Sequence, residues 1–374
     1  MLCCLIAKKA GNCHTIARIR NPEYHGEVDF IKEELGLSMY LNPERASATE
    51  ISRLLKFPSA IEVDTFVKGR VELLKIEIPE NSILVGKKIM EISKTLQTKV
   101  FVCTVQRENE VSIPGGNFTL LKGDRISIIA EPKDMDVFFH KIGINDTRIR
   151  KVMIVGGGMI AFYLAEILIK SGIYVTIIEN DIERCRELAE KLPDAMIING
   201  DGTDESILDE ESIASMDAFV ALTNMDEENI MLSIYAKTVS KAKTISKINH
   251  MTFTDILNKL DVGSVICPKD IAGEYILRYV RAMQNSVGSN VETLYKIVDG
   301  KAEALEFHAR NDSVVIGIKL SELNTKDNVL IACINRKGRI FTPGGSDAIQ
   351  VGDTVIVVTT QSGLNDLSDI VKQG

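Results

Sequence analysis

Three glycines follow directly on an apolar stretch of this chain, where Val152-Met-Ile-Val155 runs into Gly156-Gly157-Gly158-Met159-Ile160-Ala161. A G-x-G-x-x-A spacing between a strand and a helix is the arrangement by which a backbone cradles a pyrophosphate. Gly156 permits the tight turn, Gly158 lets the backbone approach the phosphates, and Ala161 is small enough for the helix to pack close to the strand. The phosphates then rest on the unpaired N–H groups at the helix start, around Met159 and Ile160, where the helix dipole favours anions. A glycine triplet alone suits an ordinary loop equally well, and Glu179 is the second signal. It ends the next strand-like run, 23 residues after Gly156, where a carboxylate hydrogen-bonds ribose hydroxyls and repels a 2′-phosphate. That position favours NAD over NADP. Read the other way, Glu179 is a solvated helix cap beside Asn180-Asp181.

Two more loops fall at the carboxyl ends of predicted strands, where open α/β sheets bind their ligands: Gly200-Asp201-Gly202-Thr203 and Leu222-Thr223-Asn224. Each offers groups that hydrogen-bond a base or ribose. Asp201 and Thr203 equally suit the cap of a helix starting near Glu205. Lys247, in the strand-like Thr244-Ile-Ser-Lys-Ile248, either brings a cation to the same edge or is a solvated lysine. Chemistry beyond binding finds little support. The five histidines are scattered, with no H-E-x-x-H pair and no Cys/His cluster at zinc spacing. No tyrosine is followed four residues later by a lysine, so a Tyr/Lys reductase pair is absent. We expect no catalytic residues, no metal site and no enzyme activity.

The elements that must position these residues alternate short β-branched strands with helices between 151 and 285, which predicts βαβ units and a parallel sheet. Residues 291–371 instead carry several short strands around a short helix near Leu320, with Gly-Asp and Pro-Gly-Gly turns: a small α+β domain. The chain also repeats itself. Pro114-Gly-Gly116 and Pro343-Gly-Gly345, Gly123-Asp124 and Gly352-Asp353, and Thr15-Ile-Ala-Arg18-Ile and Thr244-Ile-Ser-Lys247-Ile all lie 229 positions apart. The expected fold class is therefore α/β, with Rossmann-type parallel-sheet units alternating with small α+β domains in tandem duplication. The expected segments are 1–60, the end of a first Rossmann unit; 61–146, the first small domain; 147–285, a complete second Rossmann unit; and 286–374, the second small domain. Boundaries are expected near Asp146 and at Ser286 to Asn290. The first copy lacks its own glycine loop, as a shortened copy or a naturally diverged half-domain would, and Met1 to Ile6 should expose apolar surface.

Composition narrows the class. A chain of 374 residues with 45% apolar and 26% charged content has material for several cores, and its net charge of −8 argues against nucleic acid as a partner. Seven widely spaced cysteines with no C-x-x-C pair read as reduced thiols of a cytosolic protein. No run approaches the roughly 18–20 apolar residues that span a bilayer, so any membrane role comes through a partner.

Taken together, the Gly156–Ala161 loop, Glu179, Gly-Asp-Gly-Thr203, Ala-Leu-Thr-Asn-Met-Asp-Glu-Glu-Asn229 and the Pro-Gly-Gly…Gly-Asp domain, in a chain that duplicates both domain types, resemble the TrkA family. These are cytosolic regulatory subunits of Trk-type potassium uptake systems, built from regulator-of-potassium-conductance domains. The resemblance covers essentially the whole chain. It implies a cytoplasmic protein, peripheral at the inner face of the membrane, that assembles as a homo-oligomeric ring beneath a membrane-embedded potassium channel or transporter subunit. It also implies binding of NAD or NADH, or of ATP/ADP, through Gly156, Gly158, Glu179, Asp201, Thr223 and Lys247, with Arg18 as the first-copy counterpart of Lys247. The rival readings are an NAD-dependent oxidoreductase and a nucleotide sensor of another cation transporter.

Overall fold

The structure is a computed structural model, which describes residues 2–11, 13–20, 30, 34–67, 70–96, 98, 100–108, 110–142, 149–250, 260, 262–285, 291–298 and 300–372. The expected boundaries near Asp146 and at Ser286 to Asn290, and Met1 itself, lie outside the described residues. By contacts the chain divides into two units, each made of two segments: Met1–Pro58 with Thr147–Ile276, and Ser59–Asp146 with Leu277–Gly374.

In chain order the first unit contains α1 (Leu2–Gly11), β1 (Ile16–Arg18), β2 (Met39–Leu41) and α2 (Pro43–Lys56) from the first copy. The second copy contributes β3 (Lys151–Val155), α3 (Met159–Lys170), β4 (Tyr174–Glu179), α4 (Ile182–Lys191), β5 (Met196–Asn199), α5 (Glu205–Glu210), β6 (Ala218–Ala221), α6 (Asp226–Val239), β7 (Lys243–Lys247), β8 (Ser264–Ile266) and the start of α7 (Pro268–Asn285). The strands β5-β4-β3-β6-β7-β8 form one six-stranded sheet, parallel throughout. This is the doubly wound dinucleotide-fold order, and it reverses direction between β3 and β6. Both strands at that reversal are buried along almost their whole length, as strands covered by helices on both faces must be. The α/β class and the parallel Rossmann sheet expected from the alternation are therefore present.

The first copy keeps only the counterparts of β7 and β8: β1 and β2 pair in parallel as a separate two-stranded sheet. The helix α2 begins where two local signals coincide, with Asn42 accepting the N–H of Arg45 as cap and Pro43 in the first turn. Its Ala48, Ile51, Leu54 and Leu55 recur at helical spacing and are buried, each leucine worth roughly 1.5–3 kcal/mol. Their partner is α3, whose apolar positions run nearly all round: Ile160, Ala161, Leu164, Ala165 and Leu168 are buried, and so is Tyr163. A helix needs apolar residues on more than one face when it is covered on both sides. The Asn42 side chain donates to the Tyr163 hydroxyl at 3.0 Å, which in turn donates to the Arg20 carbonyl at 3.2 Å. On α1, Leu2 and Ile6 are exposed and no residue is buried, as expected of this segment.

The second unit holds the two small domains. Each is a five-stranded antiparallel sheet in the same order: Glu62–Phe66, Val71–Glu77, Arg125–Ala130, Phe101–Arg107, Glu110–Ser112 in one, and Val291–Ile297, Ala302–His308, Thr354–Thr359, Val329–Arg336, Arg339–Phe341 in the other. One face of each meets the other in a shared core of Leu73, Cys103 and Ile129 with Ala304, Cys333 and Val358. Burial pushes both thiols well above the usual cysteine range, so neither is a reactive thiolate. The Gly-Asp turns are structural in both copies. Arg107 grips Asp124 with Nε and Nη2, both at 2.8 Å, and Arg336 grips Asp353 in the same way at 2.9 and 2.7 Å.

One expectation fails here. The first small domain has the short helix, Ile89–Leu96, but residues near Leu320 form none. The N–H groups of Leu320 and Ser321 go to the Asp347 and Gly345 carbonyls, and Lys319 bridges Ala348. The first copy makes the same bonds, from Ile89 and Met90 to the Phe118 and Gly116 carbonyls and from Lys88 to Thr119, so the difference lies further on: Asn324 and Thr325 are weak helix formers, Thr325 bridges Val371, and Lys326 gives its N–H to the Ile370 carbonyl.

A buried amide ties the loop after β6 to the sheet. Asn229, fully buried on α6, accepts the Thr223 N–H at 2.9 Å and donates to the Thr223 and Lys247 carbonyls at 3.1 and 2.8 Å. Asn229→Ala leaves three backbone groups without their partner and should cost about 3 kcal/mol in urea unfolding. It should also speed hydrogen exchange across 222–225; unchanged protection there would show that the loop is held by other means. In the second unit, burial raises the Asp124 carboxyl, but the Arg107 and Leu121 donors outweigh it and hold the carboxyl below the ordinary range. A depressed folded pKa contributes stability above the unfolded value and loses it as pH falls through the folded one. Asp124→Ala should therefore cost about 2 kcal/mol at neutral pH, since Arg107 is partly exposed, and this difference from wild type should shrink in acid. A difference independent of pH would mean that packing, not charge, is what Asp124 supplies.

Candidate functional site

The glycine loop stands where its sequence context puts it. Gly156 adopts φ +97, and a Cβ there would lie 2.9 Å from the Leu222 carbonyl, so only glycine takes this turn without displacing the neighbouring loop. Gly158 caps α3 without any side-chain bond, and the space beyond its α-carbon is open. The first N–H groups of α3 have no partner within the helix. Ala161 is completely buried.

Glu179 ends β4, and its carboxylate bridges two chain segments. One oxygen accepts the Gly157 N–H at 2.6 Å and the other accepts the Asp181 N–H at 2.9 Å. It is not the cap of the following helix: that role belongs to Asp181, whose side chain accepts from Glu183 and Arg184. Asp201 likewise caps nothing. It accepts the N–H and hydroxyl of Thr203 at 2.9 and 2.8 Å, which hold its carboxyl below the usual range, while Asp204 caps α5.

These groups surround a crevice of about 480 Å³ at the carboxyl ends of β3, β4, β5 and β6, the point where strand order reverses. It brings together Gly156, Gly157, Gly158, Glu179, Asp201, Gly202 and Thr223 of the residues singled out by sequence. Met159, Ile160 and Lys247 line instead an adjoining cavity of about 770 Å³, which shares Gly158, Leu222 and Asn224 with the crevice. Lys247 is not a solvated lysine. It is 7% exposed, and among the described residues its ammonium reaches only the Leu222 carbonyl at 3.5 Å and Asn224 Oδ1 at 3.4 Å. Burial pushes its pKa down, and Asp226 partly restores it. A buried ammonium so loosely held is suited to an anion.

The far wall of that cavity comes from the first copy. Arg18 and Arg20 converge on one oxygen of the buried Glu44, at 2.6 and 3.1 Å, and its other oxygen is buried without a hydrogen-bond partner among the described residues. These groups therefore fit a phosphate-bearing ligand: a helix N-terminus and three basic side chains as donors, with the Glu179 carboxylate beside the glycine loop as acceptor.

Sequence reasoning missed several of these residues. Asn229 looked like one polar residue in an acidic helix start. Arg184, whose Nε donates to the Gly157 carbonyl at 2.7 Å, was one charge among many on a solvated face. Arg20, Glu44 and Tyr163 are brought to the site by packing between copies, for which spacing in the chain carries no signal.

Comparison with known proteins agrees with this arrangement. The TrkA-N domain matches residues 152–268, and the TrkA-C domain matches twice, at 73–143 and 305–372. The Trk system potassium uptake protein TrkA homolog of Archaeoglobus fulgidus is 30% identical over 368 residues, covering 98% of this chain and 81% of that protein. The Trk system potassium uptake protein TrkA homolog 2 of Methanosarcina mazei is 28% identical over 100% of this chain and 83% of its own length. Among solved structures, the GsuK RCK domain superposes with a TM-score of 0.55 over 95% of this chain and 74% of that one, at 15% identity. The GsuK channel bound to NAD superposes with a TM-score of 0.56 over 95% of this chain and 62% of that one, at 14% identity; at such identities the likeness is one of fold. With two domain types matched in tandem order and a relative at 30% identity over nearly its whole length, this chain belongs to the TrkA family.

Proposed function

We propose that this chain is a nucleotide-binding regulatory subunit of a potassium uptake system whose ion path lies in a separate membrane-embedded protein. No helix among the described residues is long and apolar enough to cross a membrane, so the chain acts on that path through contact with a partner. We place it in the cytoplasm, at the inner face of the membrane, as an oligomer of identical chains. The observation that carries the reading is the crevice at the strand reversal, where the Glu179 carboxylate is tied to the glycine loop at 2.6 Å.

NAD or NADH is the ligand this geometry suits, with ATP and ADP as the other adenine nucleotides to test. The N–H groups of Gly158, Met159 and Ile160 at the start of α3 hold the pyrophosphate. Glu179 accepts the ribose hydroxyls, and Asp201, Gly202 and Thr223 face the base and sugar from the ends of β5 and β6. Lys247 supplies a charge for the distal phosphate from the adjoining cavity. The regulatory reading is supported by the relatives, which are named as Trk system potassium uptake proteins. A ligand held between α3 and Glu179 favours whichever arrangement of Rossmann units it binds more tightly. A coupling of roughly 1–3 kcal/mol changes gating by several-fold to a hundred-fold.

Calorimetric titration with NADH, NAD, ATP and ADP tests this directly. We expect one site per chain, weakened at least tenfold by Glu179→Ala. Gly158→Val should abolish binding without unfolding the chain, because the space beside Gly158 is open. No binding at millimolar ligand, or unaltered affinity in both variants, would refute the assignment of the site. Coupling is tested separately, by nucleotide-dependent potassium flux in vesicles carrying the membrane partner, which should lose its dependence in Glu179→Ala.

A further inference from the structure

We propose that Arg184 selects an adenine base in the crevice by offering the flat face of its guanidinium group as a stacking surface. The inference rests on the nucleotide reading above and adds a specificity-determining residue that the glycine-loop pattern does not contain. A pyrophosphate at the start of α3 and a ribose at Glu179 leave one direction for the base. It must lie outward from Glu179, between the turn carrying Asn180, Asp181 and Arg184 and the loop Gly200–Thr203. No aromatic ring lines this crevice among the described residues, and Arg184 is its one cationic side chain. A base that enters here finds no aromatic ring to stack on, and the guanidinium is the one cationic plane.

The guanidinium is held in place before any ligand arrives. Its Nε donates to the Gly157 carbonyl at 2.7 Å, Nη1 pairs with Glu187 at 2.7 Å, and Nη2 lies 3.8 Å from the Met159 sulfur. A Cβ on Gly157 would lie 2.7 Å from Leu188 and 3.0 Å from Glu179 Oε2, so the first turns of α4 press directly on the glycine loop. This pre-organisation reduces the entropy lost on binding. Three of its five N–H donors are directed at these partners, so much of the edge that a 2′-phosphate needs is taken. Its face takes part in none of these bonds, and a π-system can stack there without disturbing them. The acidic groups that share the crevice, Glu179, Asp181, Asp201 and Glu228, point the same way. They oppose a further phosphate and can accept a hydrogen bond from the exocyclic amine of adenine.

The test compares ADP with UDP, and NADH with NADPH, on the full chain by calorimetry, using Arg184→Ala and Arg184→Lys variants whose thermal melting matches wild type. Stacking predicts that both variants weaken ADP and NADH about tenfold while changing UDP much less. Lysine keeps the charge and loses the plane, so it should resemble alanine. Equal losses for ADP and UDP would show that Arg184 only braces the glycine loop, and the proposal would fail. It would fail equally if the lysine variant behaved as wild type, which makes charge the determinant, or if the loss were confined to NADPH. Wild-type chain that binds ADP and NADH with variants unchanged overturns this inference alone. Wild-type chain that binds neither overturns the nucleotide reading and this inference with it.

Discussion

A carboxylate with two backbone N–H groups on its two oxygens sits at the centre of the six-stranded parallel unit. Glu179 receives Gly157 from the loop after β3 and Asp181 from the turn before α4. Charge-assisted bonds of this kind are about twice as strong as neutral ones. Here they fix the distance between the start of α3 and the end of β4. The rest of the site inherits that distance: the N–H groups of α3 open toward one side, the loops after β5 and β6 close the other, and α4 is drawn in until Arg184 meets the Gly157 carbonyl.

The second constraint is the seam between the two Rossmann copies. The first copy contributes two strands around a small core of Ala17, Ile19 and Leu37, with Cys4 of α1 against it, and the helix α2. Its helix gains most of its burial by lying along α3, the same helix that opens at the glycine loop. Tyr163 joins them in detail, because its hydroxyl is bonded at once to the cap of α2 and to the chain carrying Arg20. A displacement of α3 is therefore felt by the basic wall of the adjoining cavity. Close-packed helices transmit such shifts because they do not compress. This gives the duplication a mechanical meaning, since each copy shapes the surroundings of the other.

In the second unit the duplication gives two sheets of identical strand order that share one core, each braced by an arginine on the aspartate of its Gly-Asp turn. The copies still differ where local sequence is weak. Ile89–Leu96 is helical, while the counterpart after Leu320 turns away at Thr325 and Lys326, which pair with Val371 and Ile370. A repeat legible in glycines and prolines thus preserves the strands and turns those residues enforce, and leaves the segments between them to local propensity.

Sequence by itself determined the alternation of strands and helices in 151–285, the parallel sheet, the small β-rich domains and the duplication. These follow from short-range periodicity and from residues with special backbone freedom, of which Gly156 at φ +97 is the clearest. It also determined that the glycine loop, Glu179, Asp201 and Thr223 would gather at strand ends, because a doubly wound sheet puts consecutive βα loops at one edge. Only the tertiary structure decided which partner each group takes. Spacing allowed Glu179 or Asp201 to be a helix cap, and packing made Asp181 and Asp204 the caps instead. Spacing left Lys247 open to solvent, and burial beneath the loop after β6 removed it from water. The neighbourhood of Arg18, Arg20 and Glu44 with α3 depends on two helices more than a hundred residues apart burying their apolar faces together. Burial against a distant surface depends on the whole set of apolar faces seeking cover at once, and that is settled only when the chain packs.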